Sequence, residues 1–375
     1  MQRLKILHVI TGLKRSGAEN VLFRLTKNLV LFSHTVVSLT AQSPDDLTHE
    51  FRNIGIDVFH LNMQPNRFST FFKCIQLFKI IRQTKPDIMQ TWMYHADVIG
   101  GLIGKLAGIK TIIWNIRNGT LPKDSSIQFI ARLASCFSRW VPTAIISCSK
   151  NAIIFHSSLG YNQSKFKHIP NGINCNAFCI DTEARARFRG AYHIPDKTKC
   201  IGFVARWHAQ KDIPTFLKAC HLIAQQQNDV CFIMIGSNLD TKNNDLEKEI
   251  QTFGGLKKKM LLLGAQKDIP ALMSGLDVLC MTSSFGEGFP NVIGEAMASG
   301  VPCVATDVGD AAEIIYDMGC VAPIGDAKNI AQRVIMLLNN PVNSMQLRKH
   351  ILQNYSLEKM TADYATFYSQ FGTTK

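Results

Sequence analysis

Two stretches of the sequence combine residue types that could hold a diphosphate and a sugar. In "ARWHAQKD" (205–212), Arg206 and Lys211 stand in a loop after an apolar run, with Asp212 and Pro214 placed to start a helix. Two cations facing a helix N-terminus can bind a diphosphate and stabilise it as a leaving group without a metal. The competing reading is a pair of solvated loop cations. In "FGEGFPNVIGEAMASGVP" (285–302), carboxylates at Glu287 and Glu295 flank a turn of Gly288, Phe289, Pro290, Asn291 and Val292. Pro290 suits a first helical turn and Gly300 a C-cap, so the spacing predicts a helix from about Asn291 to Ser299. Carboxylates accept hydrogen bonds from sugar hydroxyls, and the exposed N–H groups of the turn donate to phosphate oxygens. Acids near a helix start also serve helix electrostatics, and spacing alone leaves these two readings even.

Two further junctions are weaker. "HVITGLKRSGAENVLFRL" (8–25) runs from a strand through Gly12 and Ser16-Gly17-Ala18 into a helix; Gly17 would let the backbone approach an anion closely. It lacks the GxGxxG spacing, and a plain tight turn explains it as well. "TDVGDAAEII" (306–315) carries Gly309 and Asp310 at another strand-to-helix turn. No Asp-x-Asp occurs, so a chelated metal for a diphosphate lacks its usual ligands, and no cofactor or metal is expected.

These junctions must be positioned by strands and helices in alternation. Val-, Ile- and Leu-rich runs at 5–10, 34–39, 57–61, 87–91, 111–116 and 144–148 predict βαβ units on one parallel sheet. A second series stands at 200–205, 230–236, 260–264, 277–282 and 302–306. A chain of 375 residues exceeds what one core usually serves, so two Rossmann-like doubly wound α/β domains are expected, 1–175 and 176–355. The turn-rich stretches 169–178 and 189–199 read as the connection between them. A final helix at 356–371 shows Leu357, Met360, Tyr364, Phe367 and Tyr368 at helical spacing and reads as packing.

Composition narrows the functional classes. At 46% hydrophobic and 18% charged, the chain is globular, and no apolar run is long and uncharged enough to span a bilayer. The opening "MQRLKILHVI" lacks a cleavage site and reads as a first strand, so a cytosolic protein is expected. Eleven irregularly spaced cysteines without a CxxC pair suggest reduced thiols; Cys175 and Cys179 read as small buried residues rather than half a metal site. Residues 1–180 carry 21 Lys and Arg against 8 Asp and Glu, whereas 181–375 balance at 20 of each, so the whole excess of +13 lies in the first half. Such a half attracts nucleic acid, an anionic membrane or a phosphorylated substrate. The only compact basic run, Lys257–Lys259, lies in the neutral half and no RNA or DNA motif occurs, so no nucleic-acid partner is expected. Within the basic half, "RFSTFFKCIQLFKIIRQTK" (67–85) puts Phe71, Phe72, Ile75, Phe78 and Ile81 on a helical stripe flanked by Arg67, Lys73, Lys79, Arg82 and Lys85. It reads equally as a membrane-surface helix or as a core helix with a cationic outer face.

Taken together, these stretches resemble the group 1, family 4 retaining glycosyltransferases with the GT-B fold, over nearly the whole chain. "EGFPNVIGEA" (287–296) resembles that family's E-x7-E element, "ARWHAQKD" its diphosphate clamp, and 149–174 the segment closing its first domain. The resemblance implies two Rossmann-like domains facing each other across a cleft, the final helix crossing back onto the first. It implies that Arg206 and Lys211 bind the donor diphosphate, Glu295 the ribose, and Glu287 with Gly288–Asn291 the sugar. Gln266 would lie beside the base, Gly17 over the phosphates, and the acceptor on the first domain. Many relatives have a glycine pair where this chain has Ser16-Gly17 and Gly309-Asp310, and a histidine near Asn115 and Arg117. His95, at another strand end, is the acceptor-side candidate, with a packing histidine as its rival. The expected activity is metal-independent transfer of a sugar, with retention, from a nucleotide-sugar (UDP-sugar foremost) to a lipid-linked or saccharide acceptor, peripherally on the anionic inner face of the cytoplasmic membrane. The alternatives are a sugar-nucleotide epimerase of the same fold and an inactive sugar-nucleotide-binding protein.

Overall fold

Short strands that are apolar on both faces can be buried only in a parallel sheet covered by helices on either side. The structure, a computed structural model that describes residues 3–64, 69–121, 124–316 and 319–372, builds two such sheets. The first contains β1 (Lys5–Ile10), β2 (Ser33–Ser38), β3 (Asp57–His60), β4 (Ile88–Trp92), β5 (Thr111–Ile116), β6 (Ala144–Ser147) and β7 (Phe166–His168), in the order β3-β2-β1-β4-β5-β6-β7. The second contains β8 (Lys199–Val204), β9 (Val230–Ile235), β10 (Met260–Gly264), β11 (Val278–Met281), β12 (Cys303–Thr306) and β13 (Cys320–Ala322), in the order β10-β9-β8-β11-β12-β13. Every pairing is parallel; β8 meets β11 through Ile201↔Val278 and Gly202↔Leu279. Each sheet reverses its winding once, between β1 and β4 and between β8 and β11. At such a switch point the chain leaves neighbouring strands towards opposite faces, and a crevice opens beyond their carboxyl ends.

The two strands without a matching apolar run are β7 and β13. Each has three residues and lies at a sheet edge, and β7 reads Phe-Lys-His, so neither carries a long enough apolar signal.

Contacts divide the chain into Met1–Gly172 with Leu357–Lys375, and Ile173–Ser356. The stretch 189–199, read above as part of a connection, lies inside the second unit. The helix Thr182–Ala191 ends there, and its Arg185 is anchored to the carbonyls of Gly275 and Leu276 and to Asp277, 2.8 Å away.

One face of the first sheet is covered by Leu22 and Leu25 of the helix Gly17–Asn28 and by Tyr364, Phe367 and Tyr368 of the helix Leu357–Ser369. The tyrosines of this last helix also make polar ties. Tyr364 Oη accepts from Asn115 Nδ2 (3.0 Å) and an Arg117 Nη (2.7 Å), and Tyr368 Oη donates to Gln90. Arg117 donates to Asn171 (2.5 Å) and stacks 4.9 Å from the centroid of Trp92. Asn115 and Arg117 therefore hold the final helix to the sheet.

The opposite face packs on the helix Ser69–Thr84, which is apolar on two sides. Leu77, Ile80 and Ile81 enter the core, whereas Phe71, Phe72, Ile75 and Phe78 are exposed. Ile81 thus leaves the stripe assigned from sequence, because its rotational position falls with Leu77 rather than with Phe78; Arg67 lies outside the described residues. No helix among the described residues is long and apolar enough to cross a membrane.

Tyr364→Phe would leave Asn115 and Arg117 without their shared acceptor. We expect a loss of about 1–3 kcal/mol in unfolding free energy, measured by urea denaturation. The exposed Tyr192→Phe serves as the unchanged control.

Candidate functional site

At the switch point of the second sheet, the loops following β8 and β11 carry the residues singled out from sequence. Beyond β8 the backbone stays close to its neighbour, with Ala205 N–H donating to Ile235 O and Trp207 N–H to Ser237 O (2.9 Å each). Gly236 permits this approach: its φ is +140°, and a Cβ there would fall 1.7 Å from Ala205 O. Arg206 is exposed and makes no hydrogen bond or ion pair with the described residues. A single turn, Ala209–Lys211, follows. Asp212 then adopts the left-handed conformation (φ +45°) and caps the helix Ile213–Ala224, accepting from Thr215 N–H, with Pro214 at its second position. A short polar side chain that bonds locally makes this backbone tolerable.

Lys211 Nζ lies 2.5 Å from Glu287 Oε1, and the Ser283 hydroxyl donates to the same oxygen at 2.8 Å. The two side chains retain only 18% and 11% of their exposure. Glu287 Oε2 makes no hydrogen bond with the described residues. The loops are bound to each other independently of this pair: Thr282 Oγ1 donates to the carbonyls of Lys211 (2.8 Å) and Asp212 (3.1 Å), and Ser284 N–H to Gln210 O (2.8 Å). The loop after β12 joins them. Thr306 Oγ1 donates to Ser283 O, and Asp310 N–H to Gly288 O at 2.9 Å. Gly309 (φ +58°) sits so near that a Cβ would stand 2.5 Å from the carbonyl oxygens of Glu287 and Gly288. Desolvation first, and then the neighbouring charges of Arg206 and Lys211, lower the pKa of His208.

The turn Gly288–Pro290 leads into the helix Asn291–Ala298. Pro290 occupies the N-cap rather than the first turn and provides no side-chain cap. Phe289 is buried, Asn291 and Val292 are half-buried, and Glu295 lies one turn further along, also half-buried. Gln266 stands exposed after β10, at the sheet edge, with its amide donating to Leu263 O (2.6 Å); it is not brought into the Lys211–Glu287 network.

In the first unit, Gly17 and His95 follow β1 and β4 and so both lie at that sheet's switch point. A Cβ at Gly17 would meet nothing within 4 Å, so the unit's own packing does not require glycine. Ser16, at the N-cap, bonds the Glu19 carboxyl instead of capping the helix. His95 is the second residue of the helix Tyr94–Leu106; burial lowers its pKa against the opposing pull of Asp124. Met93 just before it turns the chain at φ +73°. Among the described residues no three His, Cys, Asp or Glu side chains gather as a metal site.

Sequence reasoning passed over Ser283, Thr282 and Gly236. The hydroxyls stand in the "TSS" that follows β11, a composition too common to single out.

The family described as Glycosyltransferase Family 4 matches residues 15–177, and that described as Glycosyl transferases group 1 matches 198–340. The UDP-Gal:alpha-D-GlcNAc-diphosphoundecaprenol alpha-1,3-galactosyltransferase of Escherichia coli is 26% identical over 316 residues, covering 82% of this chain and 80% of its own. The N,N'-diacetylbacillosaminyl-diphospho-undecaprenol alpha-1,3-N-acetylgalactosaminyltransferase of Campylobacter jejuni is 24% identical over 328 residues, 83% of this chain and 84% of its own. Anabaena HepE, solved in complex with UDP, superimposes with a TM-score of 0.86 at 20% identity, over 98% of this chain and 100% of its own.

Gly309→Ala would place a methyl group against two backbone carbonyls in a left-handed conformation. It is expected to lower unfolding free energy by about 1–3 kcal/mol in chemical denaturation. Gly17→Ala, with open space around it, should hold stability or raise it.

Proposed function

From the premise that this chain belongs to the group 1, family 4 glycosyltransferases, with the GT-B fold, we propose that it transfers a sugar from a UDP-sugar to a lipid-linked saccharide acceptor, with retention and without a metal. The observation that carries this reading is the Lys211–Glu287–Ser283 cluster at the β8/β11 switch point, beside the exposed Arg206 and the turn that leads into the Asn291–Ala298 helix. Withdrawing two opposite charges from water is costly, and their mutual attraction only partly offsets it. An arriving diphosphate offers Lys211 a stronger partner and frees Glu287.

Arg206, Lys211 and the N–H groups of the helix start stabilise negative charge on the diphosphate as its bond to the anomeric carbon breaks. Glu287 accepts hydrogen bonds from the sugar hydroxyls and orients the ring; Glu295 holds the ribose, and Gln266 lies beside the base. The acceptor hydroxyl attacks from the face the diphosphate leaves, its proton passing to the departing oxygen. The acceptor belongs to the crevice of the first unit, where His95 stands.

The names of the relatives support the choice of substrates. The E. coli relative is named for UDP-Gal, and both enzymes for acceptors carried on diphospho-undecaprenol. An acceptor of that class is held in a membrane. The basic first half and the outward Phe71, Phe72, Ile75 and Phe78 of the Ser69–Thr84 helix suit the anionic inner face of the cytoplasmic membrane, which the protein would bind peripherally.

Turnover of a UDP-sugar is expected to persist in EDTA and to be abolished by Lys211→Glu; a fully active Lys211→Glu protein would remove Lys211 from the mechanism. On vesicles, the protein should sediment with anionic lipid at low salt and be released at high salt, and Phe71→Ser/Phe72→Ser should weaken sedimentation. Indifference to lipid charge would contradict membrane binding.

A further inference from the structure

The helix Asn291–Ala298 is gripped from behind by the segment through which the chain enters the second unit. At its C-terminal end, Arg348 of the helix Ser344–Asn354 donates to three carbonyls, those of Ala298, Phe178 and Cys175, at 2.8 Å each. A cation placed there satisfies a carbonyl that has no partner within its own helix and meets the negative end of the helix dipole. Midway along, Gly294 lies against Ile173: a Cβ at 294 would stand 2.8 and 2.9 Å from Ile173 Cγ1 and Cδ1. Ile173 is itself fixed, fully buried, with its N–H donating to Tyr355 O (2.8 Å) and its backbone bridged to Ser356. Just past the helix, a Cβ at Gly300 (φ +76°) would meet Ile180 Cγ1 and Ser344 Cβ at 2.8 Å. Three successive sites on or beyond this helix are thus seated on residues 173–180 and on the Ser344–Asn354 helix.

We propose that Arg348 and Ile173 are positioning residues for the sugar donor. They set the axial placement of the Asn291–Ala298 helix, and with it Glu295 and the Gly288–Asn291 turn, against the Lys211–Glu287 pair. The loops that carry that pair are fastened to each other by different bonds, those from Thr282 and Ser284, in which neither Arg348 nor Ile173 takes part. The inference rests on the reading of this helix as a donor-binding element. Only an arginine can serve at 348: its planar fork reaches several carbonyls at once, whereas a lysine presents a single point charge.

The test is steady-state kinetics with calorimetric binding of UDP-sugar on the full chain. Misplacing a binding group by a fraction of an ångström to an ångström is expected to raise donor KM about tenfold in Arg348→Met and Arg348→Lys alike, with acceptor KM unchanged. Gly294→Ala should raise donor KM similarly, and Ile173→Ala in the same chain, which removes both crowding atoms, should restore it. A purely structural role would lower the fraction of active protein, seen in kcat, and leave both KM values in place. Donor KM within twofold of wild type in Arg348→Met and Gly294→Ala, or a loss confined to kcat, overturns the proposal. A wild-type protein that binds no UDP-sugar overturns the reading beneath it as well, whereas wild-type binding with unaffected variants overturns this proposal alone.

Discussion

Lys211 and Glu287 lie 76 positions apart, on loops that leave β8 and β11 where the second sheet reverses its winding, and their ion pair joins those two loops. Without that reversal the two loops would run over the same face and no crevice would form. The surrounding structure serves this juxtaposition. Thr282, Ser284 and Thr306 bind loop to loop through backbone carbonyls, Gly236 brings neighbouring chain against the end of β8, and Gly309 brings the β12 loop against Glu287. A charge pair so far withdrawn from water contributes little net stability.

The sheets were legible because strands buried on both faces leave continuous apolar runs, and eleven of the thirteen strands among the described residues lie within about two residues of where those runs stand. The edge strands β7 and β13 were not, since three residues paired on one side need no such run. Lys211 and Glu287 were each legible as chemistry, but their meeting was not, because strand order is decided by packing between distant segments. Gly309 illustrates the same limit: its need for a left-handed backbone arises from carbonyls of residues 287 and 288, brought there by a different loop. Arg117 and Asn115 stood out as departures from the family pattern, and only the tertiary structure shows them holding Tyr364.

The Ser69–Thr84 helix shows where periodicity runs out. Its apolar residues cover two faces, so the hydrophobic pattern alone could not separate the side that meets the sheet from the side that meets solvent. The core takes Leu77, Ile80 and Ile81, and the aromatic residues left outside coincide with the half of the chain that holds all the excess positive charge. Apolar bulk together with cationic charge is the pairing that an anionic lipid surface recognises.

The central claim is that the donor diphosphate displaces Glu287 from Lys211. Calorimetric titration of UDP in EDTA into wild type, Glu287→Gln and Lys211→Met tests it most directly. If the claim holds, Glu287→Gln, which leaves Lys211 without its charged partner, binds UDP several-fold more tightly than wild type, and Lys211→Met binds it at least about tenfold more weakly. Equal affinities in all three proteins, or a loss in Glu287→Gln as large as that in Lys211→Met, would contradict it.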